Sequence, residues 1–288
     1  MKSIVPILSV LAAITAIWYA GAIWMNSQWT LDQAKRAGVE LTLPEIVKDT
    51  LSQERARLPA PHQVLAELWR TTVEKKITSK RSLVFHGWVT LNATLWGFAL
   101  GVAIGLSLAI AIVYSRVMDL SVMPWAIISP TIPIVALAPM IIVVMNAIGV
   151  QDRLVPKAII SAYLCFFPIL VGMIKGLRAP DQMQLDLMKT YNANLRQSFW
   201  KLRLPSSMPY LFTSMKIGIA AALVGTIVGE LPTGALRGLG ARILVGDQFG
   251  PPIRIWSALF AAAILAGGLV ATVGLIQRFT LKRMGMSR

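Results

Sequence analysis

The sequence predicts an all-α, polytopic membrane protein with about six transmembrane helices and a cytoplasmic loop that contains short helices. Two observations support this fold class. The hydrophobic fraction is 56%, the charged fraction is only 14% and the mean hydropathy is +0.64, whereas soluble domains average roughly 45–50% apolar and about 25% charged residues. In addition, six apolar segments approach the roughly 20 residues that a helix needs to cross the hydrocarbon core.

The six apolar segments divide the chain into membrane spans and connecting segments. They cover residues 4–25, 88–114, 132–150, 155–177, 208–231 and 255–279, and a proline-interrupted stretch at 123–131 leads into the third. We predict a first transmembrane helix in 1–25, an extracytoplasmic, amphipathic connecting segment in 26–87, a core of five transmembrane helices in 88–283 and a cytoplasmic tail in 284–288. The first segment could instead be a secretory signal ending at Ala20-Gly21-Ala22, but its apolar run exceeds the usual length of about 7–15 residues.

The connecting segment contains one amphipathic pattern. Pro59-Ala60-Pro61 interrupts it, and the apolar residues that follow have helical spacing. These residues are Val64, Leu65, Leu68, Trp69 and Val73. We expect an amphipathic helix here that leads towards the second span.

The strong positive charge is interpreted as membrane topology. The formal net charge is +15, yet aromatic residues are not interleaved with the basic ones in any soluble segment, so nucleic acid is not expected as a partner. If the loop at 178–205 is cytoplasmic, both termini are cytoplasmic too, and Lys and Arg are then more frequent on that side. The short segments there hold Lys2, Arg116, Lys175, Arg178, Lys189, Arg196, Lys201, Arg203, Arg278, Lys282, Arg283 and Arg288, and the opposite side holds Arg153, Lys157, Arg237, Arg242 and Arg254.

Metal and nucleotide chemistry are not expected in this chain. The single cysteine, Cys165, excludes an intrachain disulfide and a cysteine-based metal cluster, and we expect it to pack as a small apolar residue. His62 and His86 have no neighbouring ligand set, so no metal site is predicted. The sequence has no glycine-rich loop ending in Gly-Lys-Ser or Gly-Lys-Thr.

The most informative segment is the polar loop at 178–205, between the fourth and fifth spans. It is rich in Lys and Arg and carries apolar residues at helical spacing: Leu187, Met188, Tyr191, Leu195, Phe199 and Leu202. Such a loop is expected to form short helices outside the bilayer that present one face to a partner.

This loop resembles the docking sequence of permease subunits of ABC importers, which reads Glu-Ala-Ala, three residues, Gly, nine residues, Ile, one residue and Leu-Pro. The spacing is kept here, although several residue types differ. Asp186, Leu187 and Met188 stand at the first three positions, Asn192 at the Gly position, Leu202 at the Ile position and Leu204-Pro205 at the end. Asn suits the Gly position because it adopts the left-handed conformation more readily than most residues. The resemblance implies that these residues and Tyr191 contact an ATPase.

The resemblance extends over most of the chain between Leu83 and Arg283. The order and spacing of several short motifs are similar to those of permeases of the nitrate, sulfonate, taurine and bicarbonate group. The motifs are Thr90-Leu91, Gly97-Phe98, Ile132-Pro133, Ala136-Leu137-Ala138-Pro139, Phe167-Pro168 and Gly229-Glu230.

The resemblance implies a function and a set of partners. The chain would be a multi-pass permease of a bacterial inner membrane that imports a small nitrate-, sulfonate- or taurine-type solute or a related polar compound. It would pair with a second copy, two cytoplasmic ATPase subunits and an outer substrate-binding protein. It would not be an enzyme and would hold no cofactor, because ATP and Mg²⁺ would bind the ATPase. The alternatives are an ion-coupled carrier, which usually buries acids near the midplane or has inverted repeats, and a membrane scaffold.

A translocation pathway along the third to fifth spans is expected from proline breaks and small residues, which are tolerated where backbone lines a cavity. The pathway candidates are Ala136, Pro139, Pro168, Lys216, Gly225 and Glu230. Lys216 could instead extend to the inner interface, and Glu230 could be an interfacial carboxylate paired with Arg237 or Arg242.

Gly101 and Gly105 form a Gly-x-x-x-Gly pair suited to close helix packing, either within the subunit or between two copies.

Overall fold

The structure is a computed structural model that describes residues 4–232 and 237–286, and all regular secondary structure in these residues is helical. The α-helices are α1 Ile4–Ala37, α2 Leu43–Thr50, α3 Pro61–Trp69, α4 Leu83–Tyr114, α5 Arg116–Ile128, α6 Ile134–Ala147, α7 Leu154–Leu177, α8 Gln182–Thr190, α9 Leu195–Ser198, α10 Leu204–Glu230, α11 Leu239–Phe249 and α12 Ile253–Arg283. Two π-helical turns, Arg70–Glu74 and Phe199–Arg203, and one 3₁₀ turn, Ser129–Thr131, extend them.

Five helical stretches in the described residues are long and apolar enough to cross a membrane. They are Val5–Ala37, Leu83–Tyr114, Leu154–Leu177, Leu195–Glu230 and Ile253–Arg283. The predicted third span differs. Its helix, α6, has only 14 residues, too few to cross the hydrocarbon core alone. It follows Arg116–Thr131 at a bend of 105°, so this pair counts as a sixth span only if both parts are taken together.

Pro133 accounts for the bend between α5 and α6. Pro133 has no N–H to donate to the carbonyl of Ser129, four residues earlier, so the α-helical pattern stops there. The Ser129 carbonyl instead accepts hydrogen bonds from Ile132 N, at 3.2 Å, and from the hydroxyl of Tyr163 on α7. A hydrogen bond from a side chain of the neighbouring helix α7 therefore helps to satisfy the backbone at the bend.

The chain divides into two compact units. The first comprises Met1–Gly87 and Ala241–Ala262, and the second comprises Trp88–Gly240 and Ala263–Arg288. The division at Gly87 lies where the connecting segment was expected to end. The inclusion of 241–262 in the first unit was not anticipated from the sequence.

In the first unit, α1 continues beyond the predicted span end at Met25 as far as Ala37. The polar residues of this extension bind the connecting segment: Asn26 Nδ2 donates to Leu58 O at 2.9 Å, and Thr30 Oγ1 donates to Asp49 Oδ2 at 2.8 Å. Gly38 follows with a φ of 65°, the left-handed conformation typical after a helix. The extension thus anchors α2 and α3.

The predicted amphipathic helix is present as α3 and the π turn that follows it. Val64 is buried on one face, whereas Leu65, Trp69 and Val73 are exposed on the other. Elsewhere in this unit, the indole of Trp18 stacks on Phe260 with a centroid distance of 5.6 Å and donates to Pro59 O at 3.0 Å.

In the second unit, α4 packs on α7 through glycines. A methyl group placed on Gly97 would lie 2.3 Å from Ser161 Cβ, and one on Gly101 would lie 2.0 Å from Cys165 Sγ. At Gly105 it would meet the Phe166 carbonyl at 2.9 Å. The Gly-x-x-x-Gly pair therefore serves packing within one subunit, which settles the alternative that the sequence left open. Cys165 is fully buried in this interface, as expected for a small packed residue.

The other side of α7 packs on α10, again through small residues. Gly172 and Gly176 of α7 lie against Ser214 and Ser207 of α10. Polar bonds reinforce this contact, since Ser161 Oγ donates to Ala222 O at 2.8 Å. The helix α7 is therefore the central helix of the second unit, with α4 and α10 on its two sides.

Candidate functional site

The loop between α7 and α10 begins with a capped helix. Asp181 precedes α8, and its carboxylate accepts a hydrogen bond from Gln184 N at 2.7 Å. The Gln184 side chain in turn accepts from Asp181 N at 3.3 Å, which completes a capping box. These contacts fix where α8 starts.

The end of α8 depends on Asn192. This residue has a φ of 53°, the one positive φ among non-glycine residues in the described ranges. The left-handed conformation lets Asn192 N donate to Lys189 O at 2.8 Å and Ala193 N donate to Met188 O at 2.9 Å, a Schellman motif. Asn at the motif's glycine position thus adopts the conformation that this position requires.

The second half of the loop is continuous with the next span. Asn194 caps α9 by accepting from Gln197 N at 2.8 Å, and α9 continues through the Phe199–Arg203 turn into α10. Pro205 explains the widened π turn, because its ring clashes with the carbonyl four residues earlier in a regular α-helix. Leu204-Pro205, which ends the docking sequence, therefore forms the first turn of α10.

Two arginines hold the loop against the helix ends beside it. Arg203 Nη1 donates to Leu177 O, the last carbonyl of α7, at 2.9 Å, and its guanidinium lies 5.8 Å from the ring centroid of Tyr114. Arg178 pairs with Asp119 of α5 at 2.9 Å. Neither contact was predicted, although basic residues near a helix C-terminus are a known signal for such capping.

Four exposed apolar side chains on α8, α9 and the turn between them form what we call the docking face: Met183, Leu187, Tyr191 and Leu195. Tyr191 and Leu195 are each 76% exposed. Exposed apolar residues grouped in this way are typical of protein interaction sites.

The predicted ATPase-contact residues fall into two groups. Leu187 and Tyr191 belong to the docking face, and Asp186 and Asn192 are exposed beside it. The others, Met188, Leu202, Leu204 and Pro205, are half-buried, and Met188 lines a cleft of about 260 Å³.

Asp186 is held by its own helix. Its carboxylate accepts from Lys189 at 2.9 Å and from Gln182 at 3.2 Å. The hydrogen bond from Lys189 holds the pKa of this carboxyl below its ordinary value. Asp186 therefore remains negatively charged near neutral pH.

A second polar cluster lies around Glu230, at the opposite end of α10. Its carboxylate is fully buried and accepts from Thr90 Oγ1 at 3.0 and 3.1 Å and from Gly240 N at 2.8 Å. Lys157 of α7, itself buried, lies 3.4 Å from Glu230 Oε1. Lys157 is thus one ion-pair partner of Glu230, and the sequence analysis did not connect these two residues.

Glycines make room for this carboxylate. A methyl group on Gly238 would lie 2.2 Å from the Glu230 carboxyl, and one on Gly240 would lie 2.9 Å from Glu230 Cβ. The sequence analysis did not give these glycines any role at Glu230. The cluster joins the N-terminal parts of α4 and α7 and the C-terminal end of α10 to Gly240 near the start of α11.

The pathway candidates occupy different environments. Ala136 and Pro139 lie on the exposed side of α6, and Lys216 is half-buried near Gly274 of α12. Pro168 lines a cavity of about 520 Å³ between α7 and α10. Gly225 is packed against Ser161 and Ile160 of α7, and Glu230 is enclosed as described above. Within this chain, therefore, Gly225 packs against α7 and does not face open space.

No group of three or more metal-ligating side chains was found in residues 4–232 and 237–286. His62 Nδ1 lies 3.2 Å from the Tyr19 hydroxyl, and His86 Nε2 lies 3.0 Å from Lys80 O. Both imidazoles thus have hydrogen-bonding partners within the first unit.

Comparison with known proteins gives consistent matches. The family model described as binding-protein-dependent transport system inner membrane component matches residues 101–286. The formylaminopyrimidine transport permease ThiX of Halalkalibacterium halodurans is 32% identical over 72% of this chain and 78% of its own length. The riboflavin transport permease RibX of Chloroflexus aurantiacus is 30% identical over 78% of this chain and 80% of its own length.

More distant matches agree. The putative aliphatic sulfonates permease SsuC of Bacillus subtilis is 24% identical over 72% of this chain and 73% of its own length. Among solved structures, the inward-facing MetNI methionine ABC transporter matches with a TM-score of 0.53 and 16% identity, over 79% of this chain and 97% of that chain. This structural match supports the fold.

Proposed function

Because this chain belongs to the binding-protein-dependent transport system inner membrane components, the permease subunits of ABC importers, we propose that it imports a small polar solute through a pathway formed with a second copy of itself. A permease of this family spans the inner membrane several times, works with a separate ATPase and a binding protein, and is not an enzyme. Membership of this family excludes the two alternative functions, an ion-coupled carrier and a membrane scaffold.

The docking face supports the proposal most directly. The docking face is an exposed apolar surface on two capped helices, and Arg178 and Arg203 connect the loop to α5 and α7. A preformed surface of this kind loses little conformational entropy when a partner binds. We propose that the docking face binds the ATPase, so that each of two permease chains binds one ATPase subunit.

The solute class is inferred from the named relatives. Formylaminopyrimidine, riboflavin and aliphatic sulfonates, the solutes in their names, are all small and polar. We propose a solute of this kind, either a nitrate-, sulfonate- or taurine-type anion or a small polar organic compound. The α7 and α10 face that holds the cavity beside Pro168, together with the exposed side of α6, is proposed to border the pathway in the dimer.

Uptake by whole cells tests the proposed function. Cells lacking this gene are expected to lose uptake of one solute from the set of labelled taurine, nitrate, formylaminopyrimidine and riboflavin. The intact gene should restore it, whereas a gene carrying Leu187→Asp should not, although the protein reaches the membrane. Unchanged uptake of all four solutes in the deletion strain would contradict the proposal.

The proposed topology places both termini in the cytoplasm. A cysteine at Gln248, which is exposed in α11, should react with an impermeant maleimide in intact cells. A cysteine at Ser287, which lies outside the described residues, should react only after lysis. Cys165 is fully buried and serves as an unreactive background. The reverse labelling pattern would refute this orientation.

A further inference from the structure

A cavity at the outer ends of α4 and α7 is separate from both the docking face and the α7 and α10 cavity. Its volume is about 540 Å³, within the range of about 300–1,000 Å³ typical of small-molecule sites. It is lined by Trp88, Val89, Asn92, Ala93, Asp152, Arg153, Leu154, Lys157 and Arg237. All of these residues belong to the second unit.

The lining carries an excess of positive charge. Arg153, Lys157 and Arg237 contribute three cations, and Asp152 contributes one carboxylate. That carboxylate accepts a hydrogen bond from Leu154 N at 2.8 Å, so it is engaged at the start of α7. Clefts lined by one sign of charge concentrate small ions of the opposite sign.

Lys157 gives this cavity a buried cation in addition to its exposed arginines. Its side chain is only 6% exposed, yet it lines the cavity. Its distance to Glu230, 3.4 Å, exceeds the roughly 2.7–2.9 Å of a strong charge-assisted hydrogen bond. Glu230 also accepts from Thr90 and Gly240, and an ammonium group has three donors. Lys157 can therefore donate towards the cavity without leaving Glu230 unsatisfied.

We propose that this cavity binds a small organic anion, a sulfonate or carboxylate, at the outer end of the pathway. The acid group pairs with Arg153, Arg237 and Lys157, the Asn92 amide donates a further hydrogen bond, and Trp88 packs on the apolar part of the solute. This inference rests on the proposed import function and narrows its solute to an anion. An acidic lipid headgroup offers the same chemistry, so the test separates the two sources.

The probe is trifluoromethanesulfonate, followed by ¹⁹F NMR with the complete permease and ATPase complex in nanodiscs of phosphatidylcholine. The wild-type complex should broaden the ¹⁹F line, and taurine should reverse the broadening. Arg153→Gln combined with Arg237→Gln should weaken probe binding about tenfold or more, because charged hydrogen-bond donors are lost. Both arginines are exposed, so folding should be retained. The matched control is Arg116→Gln at the start of α5, which should bind like the wild type.

Equal probe binding by the double variant and the wild type would overturn the site. If phosphatidylglycerol in the nanodisc displaces the probe, and mass spectrometry finds that lipid retained by the wild type only, the occupant is a headgroup and the solute assignment fails. The uptake assay separates this outcome from failure of the proposed function. Uptake that depends on the gene, with probe binding unaffected by the double variant, refutes this cavity alone.

Discussion

A complex carrying Tyr191→Asp is expected to lose its ATPase during purification and to import nothing. Tyr191 is the aromatic side chain of the docking face and is 76% exposed. Buried Tyr residues are frequent interface hot spots, whose removal costs about 2 kcal/mol or more, and a carboxylate in the same place adds a desolvation penalty. The measurement is the amount of ATPase that co-purifies with tagged permease, together with uptake by cells expressing the variant.

A matched control is Leu65→Asp, which places the same charge on an exposed apolar residue of α3. This variant should retain its ATPase. Asp186→Lys should also weaken the complex, because it reverses a charge beside the docking face and removes the partner of Lys189. If Tyr191→Asp and Asp186→Lys both retain the ATPase at wild-type yield, the loop is not the contact.

The Lys157→Met variant is expected to be strongly destabilised. It leaves the fully buried carboxylate of Glu230 without its cation, and breaking a buried ion pair from one side costs about 3–5 kcal/mol. The midpoint of thermal unfolding in detergent, followed by size-exclusion chromatography, should fall clearly below that of the wild type. The exposed pair of Arg178 and Asp119 provides the control, since Asp119→Asn should cost at most about 1 kcal/mol.

The double variant Lys157→Met with Glu230→Gln distinguishes the ion pair from simple packing. It should recover much of the lost stability, because no isolated charge remains and the Gln side chain can still accept from Gly240 and Thr90. A double variant that is less stable than Lys157→Met would show that the pair does not act as described.

The features that could be predicted from the sequence are those that depend on neighbours in the chain. Apolar length located most spans, and the spacing of the loop residues predicted short helices that present an apolar face. The conformation of Asn192 also follows from local rules for helix ends. Even the extension of α1 had a local signal, since Gly38 follows Lys35 and Arg36.

The remaining features depend on which helices lie side by side, which a single sequence does not reveal. Lys157 and Glu230 are 73 residues apart, so their pairing requires α7 and α10 to be adjacent. The same adjacency places Gly225 in a packed interface, although small residues also suit a pathway. The bend of 105° between α5 and α6 could not be predicted either, because apolar composition does not show how sharply the chain turns where Pro133 interrupts the helix.

The helix that begins at Leu195 has a mechanical consequence. It continues for 36 residues to Glu230, a length of about 54 Å at the usual rise per residue. One end carries an exposed residue of the docking face, and the other end is fixed in the buried cluster with Lys157. A tilt imposed on the Leu195 end would therefore be transmitted along one continuous helix to the Glu230 end, and the π turn at Phe199–Arg203 is the place where that helix would bend.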